Sequence, residues 1–153
     1  MKKLLLLLLC VPLIGFGQIE YIQTDSLSSV DSVYQVFYDN GNLEAEKIYR
    51  FGIPNRWETR YYDENGNLQY SLERLGTENG STKDGNLFAY YASGRLAQKG
   101  RFKMGKEVGS FLRYYETGEL KRLRVSSKDG SGGKKWITQE CYDKEFNLIT
   151  CEE

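Results

Sequence analysis

The chain has 153 residues, with 21 Lys+Arg balanced by 21 Asp+Glu and no histidine. Without histidine, a Ser-His-Asp or Cys-His triad and a His-based zinc site are excluded. Twelve tyrosines and sixteen glycines against two prolines point to many short strands separated by turns.

In chain order, Met1-Lys2-Lys3 is a short basic start, and Leu4 to Phe16 is an apolar run broken by Pro12 and Gly15. Gly15-Phe16-Gly17 supplies small residues at the spacing a signal peptidase needs. The run is too short for a membrane helix, which takes about 20 apolar residues. Residues 1–17 are expected to be a secretory signal, so that the mature chain starts at Gln18 and is exported to the periplasm or the medium. A lipid anchor at Cys10 is the rival, opposed by Leu7-Leu8-Leu9, which lacks the small residue such a site wants. Residues 18–33, rich in serine, read as a leader that either adds an edge strand or stays loose.

From residue 34 onward a cassette recurs: Tyr38-Asp-Asn-Gly41-Asn-Leu43, Tyr62-Asp-Glu-Asn-Gly66-Asn-Leu68, Tyr91-Ala-Ser-Gly94-Arg-Leu96 and Tyr115-Glu-Thr-Gly118-Glu-Leu120. A degenerate fifth copy, Tyr142-Asp-Lys-Glu-Phe146-Asn-Leu148, has Phe146 where the glycine stood, as terminal repeats often depart from the pattern. Runs such as Tyr34-Gln-Val-Phe-Tyr38 and Trp57-Glu-Thr-Arg-Tyr-Tyr62 suit a pleated, half-buried surface. The glycine sits where a short hairpin loop needs positive φ. After the turn, Leu96, Phe102 and Met104 share one parity, and Ala97, Lys99, Arg101 and Lys103 the other. Each cassette is therefore a β-hairpin, and because one hairpin is marginal by itself, neighbours must stack. The expected fold is all-β: an array of about five stacked antiparallel hairpin repeats over residues 34–153. Gly76 to Gly85 and Ser126 to Lys135 read as the longer connections, Gly/Ser/Lys-rich loops.

These residues, a Tyr-x-x-(x)-Gly-x-Leu turn, a strand, then a glycine and an aromatic leading into the next Tyr-Tyr, resemble the bacterial MORN repeat variant, the unit of YwqK-like antitoxin proteins. The resemblance extends over about residues 34–153. It implies an elongated antiparallel β array and a protein-interaction role, antitoxin- or immunity-like, with no catalytic residues to carry over.

The charge is polarised along the chain: net −6 over residues 18–94, +8 over 95–135 and −4 over 136–153. Lys99, Arg101 and Lys103 share a strand parity and Arg113, Lys121, Arg122 and Arg124 belong to the next hairpin, so they form a candidate basic patch for an acidic partner or anionic lipid headgroups. The competing reading is a solvated face whose lysines discourage aggregation. The mature chain is slightly acidic, which opposes nucleic-acid binding.

The motif tyrosines read first as cross-strand partners of the motif leucines. Strand alternation sends the members of Tyr61-Tyr62, Tyr90-Tyr91 and Tyr114-Tyr115 to opposite faces, and an outward tyrosine ladder offers an alternative ligand, glycan. Cys141 and Cys151 flank the last turn and suggest a disulfide in an oxidising compartment, with free buried thiols as the alternative. Gly130-Ser-Gly-Gly-Lys134-Lys135 lacks phosphate-loop spacing, and the Asp-x-Asn-Gly turns lack the ligand spacing of a calcium loop. The sequence thus points to a non-enzymatic exported repeat protein without cofactor, whose foremost partner is another protein.

Overall fold

The computed structural model describes residues 19–23, 30–50, 52–126 and 136–151; the expected signal segment lies outside them. Among the described residues, twelve strands form one antiparallel sheet: β1 (Ile19–Gln23), β2 (Val30–Phe37), β3 (Leu43–Arg50), β4 (Arg56–Tyr62), β5 (Leu68–Thr77), β6 (Gly80–Tyr90), β7 (Leu96–Lys103), β8 (Lys106–Glu107), β9 (Ser110–Tyr114), β10 (Leu120–Ser126), β11 (Trp136–Tyr142) and β12 (Leu148–Ile149). They lie in sequence order, except that the two-residue β8 hangs off β7 and β9 takes the next place in the sheet. The all-β hairpin array expected from the cassettes is what the structure shows. The sheet starts inside the segment read as a leader, since β1 pairs with β2 from Ile19↔Val36 to Gln23↔Ser32. The loop expected at Gly76–Gly85 is instead the far end of a long hairpin, because β5 and β6 stay paired to Thr77↔Gly80. Most of Ser126–Lys135 lies outside the described residues.

The motif turns share one hydrogen-bond pattern. In the first, the Tyr38 amide donates to Asn42 O at 2.8 Å and the Gly41 amide to Tyr38 O at 2.9 Å. This is a tight turn closed by a residue in the left-handed region, and Gly41 (φ 84°) supplies it without a Cβ clash. Tyr91/Gly94 and Tyr115/Gly118 repeat the pattern. In the second and fifth cassettes the extra residue shifts the frame, so that Asp63 and Asp143 open the turn, bonded to Asn67 and Asn147. Their carboxylates cap the turn, accepting from the Asn67 and Asn147 amides at 2.8 Å each. The five motif tyrosines are therefore two structural positions: Tyr38, Tyr91 and Tyr115 open turns, whereas Tyr62 and Tyr142 end strands opposite Leu68 and Leu148. Phe146 takes the left-handed position in the last turn (φ 65°), with its ring stacked on Tyr142 at 4.7 Å.

The turn-opening tyrosines tie one hairpin to the next. The hydroxyl of Tyr38 donates to the carbonyl of Tyr62 at 2.7 Å, Tyr91 to Tyr114 at 2.7 Å, and Tyr115 to Tyr142 at 2.9 Å. All three acceptors are the last residue of the strand before the following turn. The relay stops at the second turn, where Asp63 replaces the tyrosine.

Strands contact their ladder neighbours, and no second layer packs on the sheet among the described residues. What core there is lies on one face, where Leu72, Phe102 and Phe111 cluster with Leu87 against them. Phe102 and Phe111 meet edge to face at 5.3 Å. The parity read from sequence holds to Phe102 and ends there: Met104 enters the β7–β8 turn with φ 47° and is exposed. That turn is clamped by buried Asp84, which accepts from the Met104 amide at 3.0 Å and pairs with Arg56 at 2.6 Å. These contacts, the Met104 amide foremost, hold the Asp84 carboxyl below the usual range. Cys141 and Cys151 are joined as a disulfide, with Cα atoms 5.3 Å apart, which ties the chain beyond β12 back to β11.

Phe111 lies over Gly100 so closely that a Cβ there would overlap the carbons of its ring. Gly100→Ala is expected to lower stability by about 1–3 kcal/mol, as overpacking does, read from the midpoint of denaturant unfolding. An unchanged midpoint would contradict the packing described here.

Candidate functional site

Directly paired residues of an antiparallel sheet point to the same side, so the registers define two faces. One face is followed by Tyr34↔Lys47, Lys47↔Thr59, Thr59↔Leu72, Leu72↔Leu87 and Leu87↔Gly100. A parallel row runs Val36↔Ala45, Ala45↔Tyr61, Tyr61↔Tyr70 and Tyr70↔Ala89. This aromatic face carries Tyr34, Tyr49, Trp57, Tyr61, Tyr70, Phe102 and Phe111. Tyr34 and Tyr49 meet edge to face at 5.7 Å, Tyr49 and Trp57 lie 5.6 Å apart, and Tyr61 stacks on Tyr70 at 4.5 Å with planes 23° apart.

The small side chain of Ala45, between Val36 and Tyr61, leaves a shallow groove of about 470 Å³ lined by Tyr34, Tyr49, Tyr61, Lys47 and Thr59. Thr59 is 2% exposed, and its hydroxyl has no hydrogen-bond partner in the structure. Trp57 Nε1 on the same face is likewise buried and without a partner. Lys47 Nζ stands 5.8 Å from the centre of the Trp57 ring. Buried polar groups are normally bonded, and among the described residues the Thr59 hydroxyl and Trp57 Nε1 are two exceptions on this face, both enclosed by the chain itself.

The opposite face is organised by ion pairs. Glu46, only 9% exposed, receives Tyr62 Oη at 2.7 Å and Arg60 at 3.3 Å; Arg60 also pairs with Glu58 at 2.8 Å, and Glu58 with Arg50 at 3.1 Å. Tyr62 thus leaves the aromatic face and Tyr61 stays on it, which is the split that strand alternation predicts for the doublet.

Six of the seven basic residues read from sequence as one patch divide between the faces, and Lys121 lies at the β10 bulge. Lys99 and Arg101 pair with Phe88 and Asn86 on the ion-paired side, and Lys103, of the same parity, goes with them. Arg113 pairs with Gln98 and Arg122, and Arg124 with Phe111, on the aromatic side. The division arises because β7 and β9 pair as Gln98↔Arg113 and Lys99↔Leu112, which puts consecutive basic strands out of phase. Sequence reading missed three cations on the aromatic face: Lys47, Arg74 and Lys83. Counting back from each glycine turn, which sets the hairpin register, would have found Lys47 opposite Tyr34.

A second hollow, about 670 Å³, opens between the third, fourth and fifth motif turns, lined by Tyr91, Arg95, Tyr115 and Lys144. Lys121 and Lys144 lie 5.2 and 5.9 Å from the Tyr115 ring. These contacts accompany the Tyr115 hydroxyl bond and belong to the turn stack.

Residues 31–50 and 58–73 match the family described as MORN repeat variant. Two hairpins of this chain are similar to that repeat. They comprise β2 and β3 with the first motif turn, and β4 and β5 with the second, and so include the groove. No curated protein matches the chain.

Burial, then the Glu46 carboxylate, pushes the Tyr62 hydroxyl up to about 12. The folded state therefore holds this proton more tightly than the unfolded chain, whose tyrosines titrate near 10. The stability it contributes is whole below about pH 10 and is lost as pH rises toward about 12. Thermal midpoints of the wild type should fall more steeply over that window than those of Tyr62→Phe; parallel curves would contradict the Glu46 contact.

Proposed function

We propose that this chain is a non-catalytic, exported repeat protein that recognises another protein through the aromatic face of its sheet, in an immunity- or antitoxin-like role. The observation that carries this reading is the groove lined by Tyr34, Tyr49 and Tyr61, open among the described residues. Aromatic residues are the side chains that most often anchor protein interfaces. The match of two hairpins to the MORN repeat variant supports an interaction role.

Ring orientation favours a protein over a glycan. A sugar needs the flat of an aromatic ring, and Tyr61 and Tyr70 turn their flats toward each other at 4.5 Å. Rings standing this way present edges and clefts, which suit the side chains of a partner. The Cys141–Cys151 bond supports export, since such bonds persist in oxidising compartments.

The test is affinity capture with the full chain, tagged at its C-terminus and recovered from the exported fraction. Its non-reduced intact mass should correspond to a start at Gln18 with Cys141 and Cys151 joined. Capture of a single protein partner should fall about tenfold or more for Tyr34→Ala combined with Tyr61→Ala, while far-ultraviolet circular dichroism stays unchanged. Undiminished capture would move the site off this face. Binding to purified envelope polysaccharide, lost in the same variant, would replace the protein reading with the glycan one.

A further inference from the structure

Charge is segregated between the two faces in a way the linear sequence conceals. Among the described residues in register on the aromatic face, the cations are Lys47, Arg74, Lys83, Arg113, Arg122 and Arg124, and the one carboxylate is Glu107, 3.9 Å from Arg124. Glu44, at the β3 bulge, lies on the margin of the groove. The carboxylates Glu46, Glu58, Glu73 and Glu140 all point to the other side. Residues 18–94 are acidic overall, yet the charged residues that register puts on this face from the described part of that stretch are Lys47, Arg74 and Lys83, with Glu44 at its margin. The contacts of four of the six cations are to neutral groups: Lys47 to Trp57, Lys83 to the Phe102 ring at 4.9 Å, Arg74 to Ser81 at 3.5 Å and Arg113 to Gln98 at 3.0 Å.

We propose that the occupant of this face is an extended acidic segment of a partner protein, lying across the strands from β3 to β10. The proposal rests on the protein-recognition reading above and names the chemistry of the partner. Cations interspersed with aromatic rings complement carboxylates carried on a peptide backbone. The dimensions fit. Six strand spacings of about 4.8 Å separate β3 from β10, roughly 29 Å, which an extended peptide covers in about nine residues. Adjacent strands also rotate by roughly 20–25°, so the face turns through roughly 120–150° over that distance. A flat bilayer touches only part of such a surface, whereas a flexible chain follows it. Single-stranded nucleic acid would also follow, but it gains from stacking on ring flats, which Tyr61 and Tyr70 turn toward each other.

The experiment uses the full, disulfide-intact chain and reads tryptophan fluorescence, Trp57 being on this face. The probe is poly-L-glutamate, with phosphatidylglycerol vesicles and oligo-deoxythymidine as comparison ligands. Poly-L-glutamate should bind, with affinity falling at least about tenfold between about 0.05 and 0.5 M salt. Two triple variants change the net charge equally: Lys47→Glu with Lys83→Glu and Arg113→Glu on this face, and Lys99→Glu with Arg101→Glu and Lys103→Glu on the reverse. The first should lose at least about tenfold in affinity and the second less than about twofold. The first set changed to Gln instead of Glu repeats the test with less strain on the fold. No binding, equal losses in both triples, or tighter binding to vesicles or to oligo-deoxythymidine overturns the proposal. If charge reversal leaves partner capture intact while the Tyr34/Tyr61 alanine variant abolishes it, protein recognition stands and the acidic partner falls; if neither variant affects capture, both fall.

Discussion

A tyrosine hydroxyl at the mouth of one hairpin, bonded to a backbone carbonyl at the mouth of the next, is the contact on which the regularity of this sheet depends. A sheet one layer thick buries little: its core is Leu72, Phe102 and Phe111, with Leu87 alongside. Hydrophobic burial therefore does little to fix how successive hairpins sit. The ladder supplies cohesion along the strands, and Tyr38, Tyr91 and Tyr115 supply it at the turn edge, where a short loop would otherwise fray. Asn40 and Arg95 reinforce the same edge by donating to carbonyls of the following turn, at Glu64 and Glu116. Where Asp63 stands in place of tyrosine, the second and third turns lack this link, and the long β5–β6 hairpin bridges that place in the array.

Having one layer also leaves both faces available, and the sequence treats them differently. On one side Arg50, Glu58, Arg60 and Glu46 neutralise each other in a continuous network with Tyr62. On the other, aromatic rings and cations share the surface with almost no opposing charge. The first arrangement is complete within the chain. The second leaves Lys47, Arg74, Lys83 and Arg113 facing neutral groups, which is why recognition is assigned to it.

The hairpin cassettes were legible because the turn chemistry is local: a glycine at positive φ, a preceding tyrosine and a following leucine announce the turn wherever they occur. The two frames of the turn were harder to see. Tyr62-Asp63 and Tyr142-Asp143 look like Tyr38-Asp39 in one dimension, and only the extra residue before Gly66 or Phe146 reveals that aspartate opens the turn. The candidate site was less legible still. Lys99, Arg101 and Lys103 are close in sequence to Arg113, Arg122 and Arg124, but a side-chain period of two means that a one-residue phase difference between β7 and β9 sends them to opposite sides. Lys47, Arg74 and Lys83 are dispersed among acidic residues, so regional net charge hides them.

The most direct measurement of the central contact is the equilibrium unfolding free energy of Tyr38→Phe, Tyr91→Phe and Tyr115→Phe beside Tyr90→Phe and Tyr114→Phe, whose hydroxyls hold no such bond. Removing a hydroxyl that links two hairpins should cost about 0.5–1.5 kcal/mol at each of the first three positions, and less than about 0.5 kcal/mol at the other two. Equal, negligible losses at all five positions would mean that the ladder alone orders the hairpins and that the tyrosine hydroxyls do not link them.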